Sequence, residues 1–345
     1  MGLLSRNTLA TVLDRAGLAT AILSLRRASS SAWITVLTYH RVARPEDAGL
    51  LDEGVIDVTP EQLDRQLAVL KRWFVPIGVE ELRAHACGRG ALPHNPVLVT
   101  FDDGYRDNHD VALPILLRHG VRASFFVATY YAARRRLYWW DRVSLLVKRS
   151  RGDRLRLTYP EPYELPLDGL RARRAAIARI QRLIKDRERL DLERLFEDLE
   201  RASEVVLGSD EESRLVEKTV MTWEDVARLR SAGMDVQSHT HTHRVLQTLD
   251  DAALASELRV SRAALEDVLC EPVRSVSYPV GKPLGDERRI RRAVRDAGYD
   301  LGFSNGTGVN RADRFDPLDA CRVALDISVG EPLFRATLAF PWLAS

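Results

Sequence analysis

The chain has 345 residues, 45% hydrophobic and 29% charged, which suits one large globular domain with elaborations or two domains. A net charge of +2 gives no general attraction for polyanions, and no nucleic-acid-binding motif accompanies the local arginine clusters, so nucleic acid is not an expected partner. Three scattered cysteines, Cys87, Cys270 and Cys321, form no CxxC pair and no even-numbered set; this excludes a disulfide framework and suits a reducing compartment.

Residues 3–25 are apolar at Leu3, Leu4, Leu9, Val12, Leu13, Ala16, Leu18, Ile22 and Leu23, with Asp14 and Arg15 interrupting. The run is too polar and too short to span a bilayer and lacks an apolar core followed by a cleavage site. It reads as an amphipathic helix within residues 1–30. Such a helix either packs on the domain surface or lies in a membrane interface, where Arg26 and Arg27 would assist. The expected location is therefore cytoplasmic, with peripheral contact to the inner membrane face through residues 3–27 as an alternative.

Residues 33–40 are β-rich and end in Tyr39-His40, a first strand. Thr59-Pro60-Glu61-Gln62 starts a helix with an N-cap, a proline at the first position and a capping box. Residues 97–101 are apolar but for Thr100, and Asp102-Asp103-Gly104 ends the run: a buried strand delivering two carboxylates to its C-terminal mouth. Adjacent anions repel, and the cost falls if one binds a cation and the other handles a proton. A helix over about 107–119 follows, with Pro114 inside it as a kink, and residues 123–127 form a strand.

Residues 138–217 break this alternation. They open with Tyr138-Trp139-Trp140-Asp141 and continue charged and leucine-rich, a helical insertion with a small hairpin near 155–163. Aromatics at such a lip stack on sugar faces or anchor the insertion. Arg134, Arg135, Arg136, Arg142, Lys148, Arg149 and Arg151, followed by Arg171, Arg173 and Arg174, are either solvated or form a surface for anionic lipid or an acidic glycan.

Alternation resumes with a capped helix at Thr222, a strand over 234–238 and then His239-Thr240-His241-Thr242-His243. A helical turn would put His239 and His243, spaced i, i+4, on one side. With Asp103 they would make a two-histidine, one-carboxylate metal site with open positions. Further strands are expected at 274–278, 301–304 and 320–326. This many βα units predicts an α/β fold, a distorted, incomplete TIM-like (β/α) barrel. The barrel would comprise residues 31–137 and 218–335, interrupted by the insertion and preceded by the N-terminal amphipathic helix, with the site at its C-terminal face.

Thr100-Phe101-Asp102-Asp103-Gly104 and His239-Thr240-x-x-His243 resemble the first two motifs of the polysaccharide deacetylases, the NodB-homology group of carbohydrate esterase family four. The resemblance covers roughly residues 32–327 apart from the insertion. It implies Asp103, His239 and His243 as metal ligands and Asp102 as general base. Ser277-Tyr278-Pro279-Val280-Gly281 resembles the third motif in a Tyr-Pro-x-Gly form, without the arginine and second tyrosine of the familiar one. It offers the Val280 N–H for the oxyanion and Tyr278 for substrate. The familiar late Leu-x-His is missing; Tyr39-His40 resembles the N-terminal histidine of rearranged members, so His40 is the candidate acid. Arg322 is the candidate to orient Asp102 in place of the third-motif arginine.

The implied activity is metal-dependent removal of N-acetyl groups from amino sugars of a polysaccharide, oligosaccharide or lipid-linked glycan. Zinc suits the donor set; cobalt, nickel and iron fit the same geometry. Two alternatives stay open: amide hydrolysis on a non-sugar substrate, and a catalytically inactive glycan-binding protein.

Overall fold

The computed structural model describes residues 6–28, 33–306 and 309–341. Seven parallel strands form the barrel: β1 (Trp33–Tyr39), β2 (Pro96–Phe101), β3 (Ala123–Val127), β4 (Asp235–Ser238), β5 (Ser275–Ser277), β6 (Leu301–Ser304) and β7, which is split into Ala320–Cys321 and Val323–Ala324. Neighbours pair in chain order. The first piece of β7 pairs with β6 and the second with β1, so the last strand bridges the two ends of the sheet. The ring is thinnest between β4 and β5, where only Val276 and Ser238 pair. This is the α/β barrel expected from the alternation, with seven strands where a TIM barrel has eight.

Every residue of β2, β3 and β4 is buried, because a parallel sheet is covered on both faces. Alternation divides them. Ile34, Val36, Leu98, Phe126, Leu301, Phe303 and Ala320 form one cluster inside the ring. Leu37, Val97, Val99, Phe101, Phe125 and Val127 face the surrounding helices. Arg322 shares parity with Ala320, and Asp102 with Leu98, so both side chains point into the barrel.

The capping boxes at Thr59 and Thr222 are formed. After the Asp pair the helix differs from expectation. Residues Asn108–Ala112 form a π turn and the α-helix Leu113–His119 follows it. The wider turn accommodates Pro114, which has no N–H to give.

The N-terminal segment, expected as one helix, is two, Arg6–Arg15 and Leu18–Ala28, bent by 66° with Gly17 in a left-handed conformation between them. Ala10, Ala19 and Leu23 are fully buried in the barrel's outer core, with Phe334 and Leu338 of helix Glu331–Ala339 in the same cluster. Arg26 donates to the Leu338 carbonyl and Arg335 pairs with Asp14. Among the described residues no single helix is long and apolar enough to cross a membrane.

Residues 139–219 hold four helices, Trp139–Arg149, Gly169–Asp186, Leu192–Ser203 and Ser209–Thr219, and the hairpin Arg154–Leu157 with Tyr163–Pro166, around a second core. The basic cluster mostly ties this unit together. Arg136 pairs with Glu212, Arg142 with Glu200, Arg149 with Glu211, and Lys148 and Arg174 with Glu53.

Candidate active site

The site sits where the C-terminal ends of β1, β2, β4 and β5 meet. Past β2 the chain turns at once, with Asp103 at φ +75 and Gly104 at φ +94. A Cβ on Gly104 would lie 3.1 Å from Val127, so glycine serves both the conformation and the space. The turn separates the two carboxylates. Asp103 lines a cavity of about 420 Å³ together with His40, His243, Trp139, Trp140 and Val280, whereas Asp102 lies beneath that wall.

Asp103 Oδ1 is 3.4 Å from His239 Nε2 and 3.3 Å from His243 Nε2, and the two nitrogens are 3.1 Å apart. His239 Nδ1–H donates to the Ser277 carbonyl at 2.9 Å, which leaves its Nε2 lone pair facing the other two ligand atoms. Burial, reinforced by His239 and opposed by Asp103, holds His243 down at about 3, so its ring is neutral. Asp103 Oδ1 and His243 Nδ1 are buried without a hydrogen-bond partner among the described residues. Three converging donors with an orphaned carboxylate oxygen fit a divalent cation.

The histidines do not meet through a helical turn, as their spacing suggested. Residues 239–245 are a loop in which Thr240 and His243 adopt left-handed φ of +64 and +58. The Thr240 hydroxyl does not hold this loop: it is buried and unbonded among the described residues. Glu257, on helix Asp251–Leu269, does that work, accepting from the N–H groups of His241 and Thr242 at 2.9 and 2.8 Å and from the Thr242 hydroxyl. His241 turns away, with Nδ1 2.9 Å from the Thr129 hydroxyl.

Asp102 is clamped inside the barrel. Both its oxygens take a 2.8 Å bond from Arg322, and Ser277 Oγ donates to Oδ2 at 3.0 Å. The arginine on Asp102 thus comes from β7, while Ser277, standing at the third-motif position, adds the hydroxyl bond. Burial alone would raise the Asp102 carboxyl, but Arg322, with His239 beside it, holds it well below the usual carboxylate range. His239 Nε2 lies 3.7 Å from Oδ2, so Asp102 adjoins the point where the ligands converge.

His40, at the end of β1, is 26% exposed and donates Nδ1–H to Asp57 at 2.8 Å. Burial works against its charge, but Asp57, aided by Asp103 and Asp102, pushes it up to about 9. These carboxylates favour the protonated ring, whose Nε2–H is free of that bond. Val280 reaches the same cavity at φ +64, an outlying conformation for a β-branched residue.

Tyr278 does not join them. Its ring lies over Gly302 on β6, where a Cβ would come within 2.0 Å of the hydroxyl, and that hydroxyl donates to the Leu318 carbonyl at 2.8 Å. The assignment of Tyr278 to substrate is therefore corrected: it is a buried brace between β5 and the approach to β7.

Asp57, Ser277 and Glu257 were not among the candidate site residues of the sequence. Only Ser277 carried a signal, as the residue standing where the motif arginine was absent. Trp140 packs on His243 with ring centroids 4.6 Å apart, and its Nε1 donates to the Tyr105 hydroxyl, so it supports the site rather than offering an open stacking face.

A profile of the family described as polysaccharide deacetylase matches residues 89–152 and 202–302. The chain carries a polysaccharide deacetylase domain. The domain is a hydrolase of carbon–nitrogen bonds whose chemistry is de-N-acetylation of glycans. The matched segments contain both motifs and helix Trp139–Arg149, and leave out 153–201, His40, Asp57 and Arg322. No curated protein matches the sequence.

Three solved structures share the fold of the deacetylase domain. The Streptococcus pyogenes deacetylase PplD, solved with acetate, gives a TM-score of 0.57 at 16% identity over 90% of this chain and 99% of that one. IcaB from Ammonifex degensii gives 0.56 at 18% identity over 91% and 97%. The BpsB deacetylase domain from Bordetella bronchiseptica gives 0.52 at 17% identity over 87% and 98%.

Proposed function

We propose that the protein is a divalent-metal-dependent deacetylase acting on N-acetylated amino sugars of a polysaccharide, oligosaccharide or lipid-linked glycan. The observation that carries this reading is the convergence of Asp103, His239 and His243 on the cavity, with an orphaned carboxylate oxygen among them. A divalent ion in that site, zinc by its donor set, supplies Lewis acidity toward water and the acetamide carbonyl.

The other residues divide the proton work. Asp102 accepts the proton of the attacking water. Held below the usual carboxylate range by Arg322, it is a weak base and would hold that proton only briefly. Arg322 and Ser277 fix the angle at which its oxygens face the ligands. The Val280 N–H donates to the carbonyl oxygen as charge develops there. His40 gives Nε2–H to the departing amine while Asp57 holds the ring.

The test joins metal content to acetate release from N-acetylchitooligosaccharides. His243→Ala is expected to lose the metal and the activity, His241→Ala to keep the metal, and Asp102→Asn to keep the metal while losing most turnover. Equal metal loss from both histidine variants, or activity within a few fold in Asp102→Asn, would overturn the assignment.

We also propose that the exposed faces of the two N-terminal helices rest on a membrane surface, which would make the protein peripheral on the cytoplasmic side. Leu9, Val12, Leu18 and Leu25 are exposed there and support this reading.

A further inference from the structure

Helix Gly169–Asp186 of the insertion forms one wall of the catalytic cavity. Arg174, Ile177, Gln181 and Lys185 lie on its cavity face at helical spacing. Two of these polar groups are engaged: Arg174 with Glu53 at 2.8 Å, and Gln181 with Asp52 Oδ2 at 2.6 Å. The end of the helix is pinned across the cavity mouth, because Asp186 pairs at 3.1 Å with Lys282, just beyond the Val280 turn.

Lys185 differs. It lines the cavity, yet its ammonium makes no hydrogen bond or ion pair among the described residues. Asp52, Asp103 and Asp186 face it from the loop, the barrel and its own helix, none of them within ion-pair distance. The other cations of this region each have a carboxylate in contact: His40 has Asp57, Arg322 has Asp102, and Arg174 and Lys148 share Glu53. A divalent ion on Asp103 would remove that carboxylate from the balance. Lys185 then stands as a partly desolvated cation with no carboxylate in contact, Asp52 and Asp186 acting on it only from beyond ion-pair distance, and an anionic group of a bound ligand would supply that contact.

We propose that Lys185 forms an anion subsite in the catalytic cavity, binding a carboxylate or phosphate oxygen carried by the glycan beside the acetamido group to be cleaved. The inference deepens the deacetylase reading: it makes the preferred substrate an acidic N-acetylated saccharide. The insertion, which the family profile leaves unmatched over 153–201, is then the part of the chain that selects it.

Acetate release by the metal-loaded full chain would be compared on neutral N-acetylchitotetraose, a hyaluronan tetrasaccharide and N-acetylglucosamine 1-phosphate. The last two separate carboxylate from phosphate. Wild type is expected to favour at least one anionic probe by about tenfold or more in kcat/KM, the scale of one charge-assisted hydrogen bond. Lys185→Met should erase that preference through KM, with a much smaller effect on the neutral probe, and Lys185→Arg should restore it. An equal loss on all three probes, or no anionic preference in wild type, would overturn the subsite.

Absence of acetate release from every probe would instead count against the deacetylase reading. Calorimetry then tests the subsite alone: N-acetylglucosamine 1-phosphate and glucuronate should bind wild type more tightly than Lys185→Met. Equal binding of both ligands to the two proteins would reject it.

Discussion

Asp102 and Arg322 are both buried, and each is the other's counter-charge. Removing the guanidinium strands a carboxylate inside the barrel, which costs about 3–5 kcal/mol when one partner of a buried pair is lost. Arg322→Met should therefore lower the unfolding free energy measured in denaturant by that scale, and Arg322→Lys should recover part of the stability but less of the turnover, since an ammonium cannot make the two-pronged contact. A variant as stable as wild type would mean that Asp102 is hydrated or protonated instead.

His40 gives a prediction in pH. Its acid form is the active one in the proposed mechanism, and its raised pKa keeps that form present up to about 9. Activity on N-acetyl substrates should thus persist through neutral pH and fall as pH rises through a limb at or below about 9, because a dication nearby works against the charge. Asp57→Asn should move that limb toward lower pH. His40→Ala should cut turnover by about 10²-fold or more on amides and far less on an activated ester, whose leaving group needs no proton. An unmoved limb in Asp57→Asn would detach His40 from it.

At the scale of elements, the histidine loop is held from outside by Glu257. Glu257→Gln leaves one acceptor oxygen where the carboxylate offers two, so the loop should loosen while helix Asp251–Leu269 stays intact. Because Glu257 holds the backbone between His239 and His243 rather than a ligand itself, metal affinity should fall by up to about 10–100-fold, the scale of losing a direct outer partner; titration against a chelator measures it.

The elements also show what the residues could tell in advance. The order of strands and helices, the capped starts at Thr59 and Thr222 and the grouping of Asp103 with two histidines were legible, because each is written in local periodicity or a short motif. The left-handed loop was not, since Thr240 and His243 are not residues that announce positive φ. Asp57 and Glu257 were invisible because their partners lie 17 and 16 residues away across turns that spacing does not encode. Tyr278 was misjudged because its direction is set by Gly302, on another strand.

For the whole molecule, the N-terminal helices and helix Glu331–Ala339 close one side of the barrel. A chain lacking residues 1–27 would uncover Phe334 and Leu338, so it should lose stability in thermal unfolding while keeping the site's geometry. If the exposed face of these helices meets lipid, the full chain should float with anionic vesicles, and a variant carrying serine at Leu9, Val12, Leu18 and Leu25 should not. Flotation of both, or of neither, would end the membrane proposal.

The closing of the barrel by β7 has a consequence for the order in which the protein is made. Chains emerge from synthesis N-terminus first, and Arg322 follows Asp102 by 220 residues. Through most of translation the aspartate has no guanidinium to meet, and β1 lacks one of its neighbours. The nascent barrel is therefore an open sheet whose innermost carboxylate must stay hydrated or carry a proton. A product that stopped before residue 320 would still contain Asp102, Asp103, His239 and His243, and would read as a deacetylase by its motifs. It would lack the strand that shuts the ring and the guanidinium that lets the aspartate be buried, so the clamp on Asp102 can form only once β7 has been made.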